Sequence, residues 1–358
     1  MTLPLDQAEP VRAGEELDGR ALKDFLARTV PDLGDEPIIS QFRQGHSNLT
    51  YLVRIGDGEY VLRRPPFGNV VKTAHDMGRE FRILTALAPV FSPAPKPLVF
   101  CDDPSVIGGP FYLMERRHGV VLRRILPTGF VLTPAVAGHL CRGLVDTLAT
   151  LHSIDYRAVG LEGFGKPEGY VGRQVKGWTE RYRAVETEPV PGIDKVASWL
   201  ASNQPPESGG GGGAAIIHND FKFDNVMLAA NDPGRVTAVL DWELATVGDP
   251  LMDFGSTLAY WVQGDDPPDY LSAAMGPTAL PGMWSRRHLA EAYAHRVNAD
   301  LGDLRFYYVY GLFKLAVIVQ QIYARFARGV TKDERFAEFN KRVAMLADEA
   351  GRALERGI

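Results

Sequence analysis

The chain has 358 residues, of which 45% are hydrophobic and 23% charged, with a formal net charge of −5. That length suits two domains, or two lobes around one cleft, and the composition is that of an ordinary globular chain with a sizeable core. So small a negative charge gives no electrostatic reason to expect a nucleic-acid partner, and two cysteines, Cys101 and Cys141, build neither a disulfide framework nor a zinc site.

Residues 1–35 are polar and acidic and hold one amphipathic helix over 21–29, with Leu22, Phe25 and Leu26 on its apolar side. Residues 1–18 carry early acids and no apolar h-region, which excludes a signal peptide. Three strands follow, at 39–42, 50–53 and 59–63. A small polar turn that ends in Ser47 and Asn48 joins the first two, and Gly56-Asp57-Gly58 joins the others. Alternation along the third strand puts Val61 and Arg63 on one face and Leu62 and Arg64 on the other. The next helix has Met77, Phe81, Leu84 and Ala88 along its apolar side, with Glu80 beside them. Two more strands, 96–101 and 110–115, run into the polar Arg116-Arg117-His118-Gly119.

A long helix then starts at Thr133 or Pro134, an N-cap residue before a first-turn proline, and ends near Ser153. Leu140, Leu144, Leu148 and Leu151 mark its buried side, and His152 reads as a structural or capping histidine. Residues 160–187 are rich in glycine, tryptophan, tyrosine and arginine and end in a helix over 172–186. The glycine run 209–213 is a flexible connector. Beyond residue 250 the chain reads as helical, with Tyr308, Leu312, Leu315, Val319, Ile322 and Phe326 as a core-facing stripe and a last amphipathic helix over 332–355. The segment 307–326 is the most hydrophobic. Lys314 and Gln320-Gln321 interrupt it, which predicts a buried helix, no membrane association and a cytoplasmic chain.

The chemistry concentrates in Ile217-His218-Asn219-Asp220-Phe221-Lys222-Phe223-Asp224-Asn225-Val226-Met227-Leu228 and in Val239-Leu240-Asp241-Trp242-Glu243. Each piece joins an apolar run to acids, and the first adds amides, a histidine and a lysine. Phosphoryl transfer from a nucleotide needs such a set. One carboxylate stands by the attacking hydroxyl, an amide oxygen and a second carboxylate hold Mg²⁺ as hard oxygen ligands, and a cation sits near the transferring charge.

At these residues the chain resembles the aminoglycoside phosphotransferase family of small-molecule kinases, over most of its length from about residue 39. The family's catalytic loop reads His-Gly-Asp, four residues, then Asn; here it is His218-Asn219-Asp220 to Asn225, with Asn219 in place of the usual glycine. The resemblance implies an α+β, protein-kinase-like bilobal fold. A leader occupies 1–35, an N-lobe of antiparallel sheet plus helix 36–116, and a mainly helical C-lobe 117–358. It implies Asp220 as catalytic base, Asn225 and Asp241 as metal ligands and His218 as a brace of the loop. Arg63, with Arg64 as runner-up, grips the α/β-phosphates of ATP and pairs with Glu80, as the third-strand cation of kinases does. Ser47 and Asn48 lie in the turn that approaches the triphosphate. The backbone of Met114, Glu115 and Arg116 meets the purine at the hinge, between Val61 and Met114. Lys222, Glu243 and Asp249 are candidates for substrate contacts or for support of the site, and the resemblance gives Gly248-Asp249-Pro250 and Asp253 as loop-anchoring elements, although Asp249 also fits a plain N-cap.

The resulting expectation is an ATP- and Mg²⁺-dependent kinase acting on a small-molecule hydroxyl, with GTP and the oligomeric state left open. The alternative is an inactive nucleotide-binding module of the same fold. A protein kinase is excluded, because only a few residues separate Asp241 from the helix near Pro250, no Ala-Pro-Glu follows, and no arginine precedes Asp220. The wording around Asp220 and Asp241 is most similar to kinase domains attached to acyl-CoA dehydrogenases, which implies a hydroxyacyl-type acceptor. The family's namesake implies an aminoglycoside, which wants carboxylates from the C-terminal helices and the loop Gly264-Asp265-Asp266.

Overall fold

A computed structural model describes residues 7–42, 48–67, 76–206 and 213–358. Ser47 and most of the turn before it, like residues 209–212 of the glycine run, lie outside these residues. By internal packing the chain divides into two compact units. The first comprises Met1–Val121, Met227–Asp232 and Val236–Ala245; the second comprises Leu122–Val226, Pro233–Arg235 and Thr246–Ile358. The opening segment of the first unit ends at Val121, and two later segments, one carrying Asp241, group with it.

The first unit opens with α1 (Gly19–Thr29), capped by the Asp18 carboxylate, which accepts from the Ala21 amide. Then come β1 (Ile38–Phe42), β2 (Leu49–Ile55), β3 (Gly58–Arg64), α2 (Met77–Leu87), β4 (Pro97–Cys101), the short α3 (Pro104–Ile107), β5 (Phe111–Glu115) and β6 (Val120–Val121). The antiparallel sheet has the order β1-β2-β3-β5-β4. Leu22 and Leu26 of α1 join Tyr51, Val53, Leu62, Phe111 and Leu113 in its core, so the leader is part of this unit.

The second unit contributes α4 (Pro134–His152), α5 (Tyr170–Val185), α6 (Ile193–Ser202) and β7 (Ala215–Ile217). The chain continues with β8 (Val226–Ala229) and β9 (Asp232–Val239), which form a small sheet in the order β6-β8-β9, and β10 (Thr246–Gly248), which pairs with β7. Five helices complete the chain: α7 (Pro250–Tyr260), α8 (Pro268–Leu271), α9 (Arg286–Val297), α10 (Arg305–Ala327) and α11 (Phe339–Arg356). Helix α7 is buried at every position from Pro250 to Ala259, and Asp249 caps its start by accepting from the Leu251 and Met252 amides. Among the described residues no helix is long and apolar enough to cross a membrane.

Two expectations are corrected here. The last helix starts at Phe339 rather than near 332, because Asp333 caps a separate 3₁₀ turn at Glu334–Phe336. On α10 the expected stripe describes only its first half. Farther along, Ala316, Val317, Gln320 and Ala324 are buried, whereas Leu315, Val319, Ile322 and Phe326 are half-buried. Helices α5, α6, α7 and α11 all pack on α10, and a helix with neighbours on several sides has no single apolar face to read.

Candidate active site

In the first unit β3 sends Arg63 to one face and Arg64 to the other. The Arg63 Nη1 lies 3.3 Å from Glu80 Oε1, and its Nη2 donates to Asp241 Oδ1 at 2.8 Å. Arg63 is 8% exposed and Glu80 1%. Burial alone would lower the Arg63 pKa; the Glu80 and Asp241 carboxylates beside it more than reverse this, so the guanidinium stays ionised. Burial also pushes the Glu80 carboxyl up, which Arg63 opposes. Arg64 is occupied elsewhere, donating to the Ile107 and Pro65 carbonyls at 2.6 and 3.0 Å and lying over the Phe67 ring.

Asp241, two residues past the end of β9, lies in the left-handed region, with φ +64°. An aspartate tolerates that conformation better than most residues, and the following turn is pinned by the Trp242 indole donating to the Val239 carbonyl. Glu243 accepts from the Asn48 amide at 2.9 Å. Val61 and Met114 are cross-strand partners, 8% and 7% exposed. Glu115 accepts from the Lys96 amide, and the Arg116 side chain pairs with Glu59.

In the second unit the loop after β7 gathers Asp220, Lys222 and Asn225. Lys222 Nζ donates to both Asp220 oxygens at 2.8 and 2.9 Å, and the Asn225 amide donates to Asp220 Oδ2 at 2.7 Å and to its carbonyl at 2.8 Å. Both Asn225 donors thus turn towards Asp220, which leaves its amide oxygen as a hard donor for another partner. Asp249 is not part of this group; it caps α7.

Buried groups outside the two motifs hold this loop, Asp253 among them, as the resemblance implies. The Asp253 carboxylate on α7 accepts from the His218 and Asn219 amides, each at 2.7 Å, and lies 3.1 Å from His152 Nε2. Burial would raise its pKa, but the His152 and His218 partners hold it below the ordinary aspartate value. The other nitrogen of His152 lies 2.6 Å from the Tyr293 hydroxyl. Asn219 has φ +66°, the backbone that explains a glycine in the related motif and that asparagine also adopts. The motif Gly248-Asp249-Pro250 with Asp253 after it signalled the anchor, whereas the His152 and Tyr293 partners, distant in the chain, carried no signal.

Beside this loop lies a recess. Leu144, Phe223, Trp261 and Met275 give it apolar walls, and Lys222, Asp224 and Thr278 give it polar groups. Asp224 Oδ1 and Thr278 Oγ1 are buried without a hydrogen-bond partner among the described residues, and burial pushes the Asp224 carboxyl up against the pull of Lys222 and Arg123.

The profile of the phosphotransferase enzyme family matches residues 38–307. Acyl-CoA dehydrogenase family member 11 of Rattus norvegicus is 35% identical over 327 residues, covering 89% of this chain and 41% of that protein. The Homo sapiens protein of the same name is 34% identical over 340 residues, covering 93% of this chain and 42% of its own length. The chain therefore spans about two fifths of these relatives. Among solved structures, a Ralstonia eutropha protein assigned to the aminoglycoside phosphotransferases has a TM-score of 0.81 at 30% identity, over 95% of this chain and 99% of the other. Aminoglycoside phosphotransferase APH(4)-Ia, in ternary complex with AMP-PNP and hygromycin B, has a TM-score of 0.60 at 16% identity, over 94% and 99%, which is a likeness of fold alone. With its two-part motif, its mixed α/β architecture and a family match over most of its length, the chain belongs to the phosphotransferase enzyme family, as a small-molecule kinase with the protein-kinase-like fold.

Proposed function

We propose that the chain moves the γ-phosphoryl group of Mg-ATP to a hydroxyl on a small, largely apolar metabolite of the hydroxyacyl type. The observation that carries this reading is the Asp220 carboxylate, oriented by Lys222 and Asn225 on a loop anchored to a buried acid. In that role Asp220 orients the acceptor hydroxyl and takes its proton late, since the transition state is loose. Lys222, next to it, offsets charge as the phosphoryl group arrives.

The donors suit Mg²⁺. Asn225 presents an amide oxygen and Asp241 a carboxylate, both hard ligands, and Mg²⁺ needs few protein groups when phosphates and water complete its shell. Asn225 and Asp241 would hold the ion, which when bound neutralises phosphate charge. Arg63, fixed by Glu80, would contact the α/β-phosphates, and Val61 and Met114 would face the base. Buried Asn48 Oδ1, which has no hydrogen-bond partner among the described residues, is a further polar group for the nucleotide.

Two features favour the hydroxyacyl type over a polycationic aminoglycoside. In the loop Gly264-Asp265-Asp266, expected to draw a cationic substrate, Asp266 is 7% exposed and held by Arg286 at 2.6 and 2.8 Å, which leaves only the exposed Asp265 of its two acids. The recess beside Asp220 has walls that are mainly apolar. The named relatives carry acyl-CoA chemistry in their names, in line with such an acceptor. A coupled ADP-release screen over aminoglycosides, amino alcohols and hydroxyacyl thioesters, run with ATP and with GTP, tests this. Turnover with the thioesters is expected. Turnover with aminoglycosides alone would overturn the acceptor, and nucleotide binding with no turnover would favour the inactive module.

A further inference from the structure

Lys314 stands in the middle of α10 among apolar neighbours, 5% exposed. No carboxylate among the described residues forms an ion pair with it, and its one hydrogen bond runs from Nζ to the Asn219 carbonyl at 2.7 Å. Its ammonium also lies 5.9 Å from the centre of the Trp178 ring. The charged groups that act on it are Asp253 of α7, Asp220 and Lys222 of the loop, and Arg181 of α5. A buried ammonium without an ion-pair partner is a poor choice for stability, and a methionine would fill similar space without burying charge.

The bonded atom explains the choice. The peptide between Asn219 and Asp220 is held at both edges: its oxygen by Lys314 and its N–H by His218 Nδ1 at 3.3 Å. The preceding N–H goes to Asp253 Oδ1, and the Asn219 side chain accepts from the Tyr170 hydroxyl at 3.3 Å. Asn219 is thereby fixed through its amide, its carbonyl and its side chain in a left-handed conformation that a free loop populates sparsely.

We propose that Lys314 is a positioning residue for Asp220, its ammonium fixing the Asn219 carbonyl and so aiming the next side chain at the acceptor hydroxyl. This rests on Asp220 being the base of the kinase reading. Lys314 touches neither substrate nor nucleotide in this role; it acts through one peptide plane. Arginine, with a longer and planar head, does not reproduce the contact, whereas glutamine keeps a neutral donor.

The test compares the full chain with its Lys314→Met and Lys314→Gln variants by hydrogen exchange and by ADP formation. In Lys314→Met, amides 218–222 should exchange at least tenfold faster while the rest of α7 and α10 keeps its protection. Turnover should fall at least thirtyfold, with the acceptor KM and the Mg-ATP Kd within twofold. Lys314→Gln should lie between that variant and the parent in both readouts. Unchanged exchange at 218–222 overturns the proposal. So does uniformly faster exchange, the mark of ordinary core packing, and so does a loosened loop with parental turnover. If the parent forms no ADP with any acceptor, the kinase reading fails by itself, and the exchange result still decides whether Lys314 holds the loop.

Discussion

Arg63 is the ion-pair partner of the buried Glu80, and its removal leaves that carboxylate uncompensated. Arg63→Met should therefore lower stability by about 3–5 kcal/mol, read from the urea midpoint, because a carboxylate stays behind in a dry site. The double variant Arg63→Met/Glu80→Leu should recover most of that loss yet still bind Mg-ATP poorly; recovery of both would remove Arg63 from the nucleotide site. Asp220 calls for a different signature. Asp220→Ala should cut turnover by about 10²–10⁴-fold, the usual worth of a positioned base, with the Mg-ATP Kd within a few-fold. Equal loss of both would count against its role. At this scale the motif residues were legible because chemistry restricts their type and spacing. Lys314 was visible only as a charge that interrupts an apolar run, since its partner lies 95 positions away.

Helix α7 supplies both the acid under the loop and a close crossing with α10. A Cβ added at Gly255 would lie 2.3 Å from the Tyr307 carbonyl oxygen, and one added at Gly311 would lie 2.4 Å from the Gly255 oxygen. Gly255→Ala should thus cost about 1–3 kcal/mol through overpacking, seen as a lower urea midpoint at unchanged slope. Asp253 gives a pH dependence whose sign follows from its lowered folded pKa. Its contribution is complete above the unfolded value of 3.8 and fades as pH falls towards the folded one. Asp253→Asn should flatten the loss of stability below pH 3.8, as followed by acid titration of the melting temperature. Strands β1, β2, β3 and β5 were legible from alternation and turn residues. Helix α6 was not, although Ile193, Val196, Ala197 and Leu200 repeat at helical spacing, because its ten residues make a short helix between proline-rich stretches. The buried face of α10 was only half legible, since burial there depends on neighbours that no local pattern records.

The first unit is not continuous in sequence. Val120 and Val121 pair with Leu228 and Met227, Arg63 meets Asp241, and the Phe91 and Trp242 rings stack edge to face at 6.2 Å. Residues 1–121 expressed alone should lack a cooperative urea transition, and linking residues 227–245 to them should restore one; a cooperative transition in the short fragment would show that the later segments are dispensable. The protein-kinase-like fold class was legible from the family resemblance, but this interleaving was not, because strand pairs such as β6–β8 join residues more than a hundred positions apart. It also bears on heredity. A single genetic crossover near residue 121 cannot trade one half of this enzyme for a cousin's, since it would leave two strips of the old partner behind. Natural shuffling within this lineage must then preserve matched sets of three stretches, and chimeras joined at one point should come out insoluble more often than those joined at five.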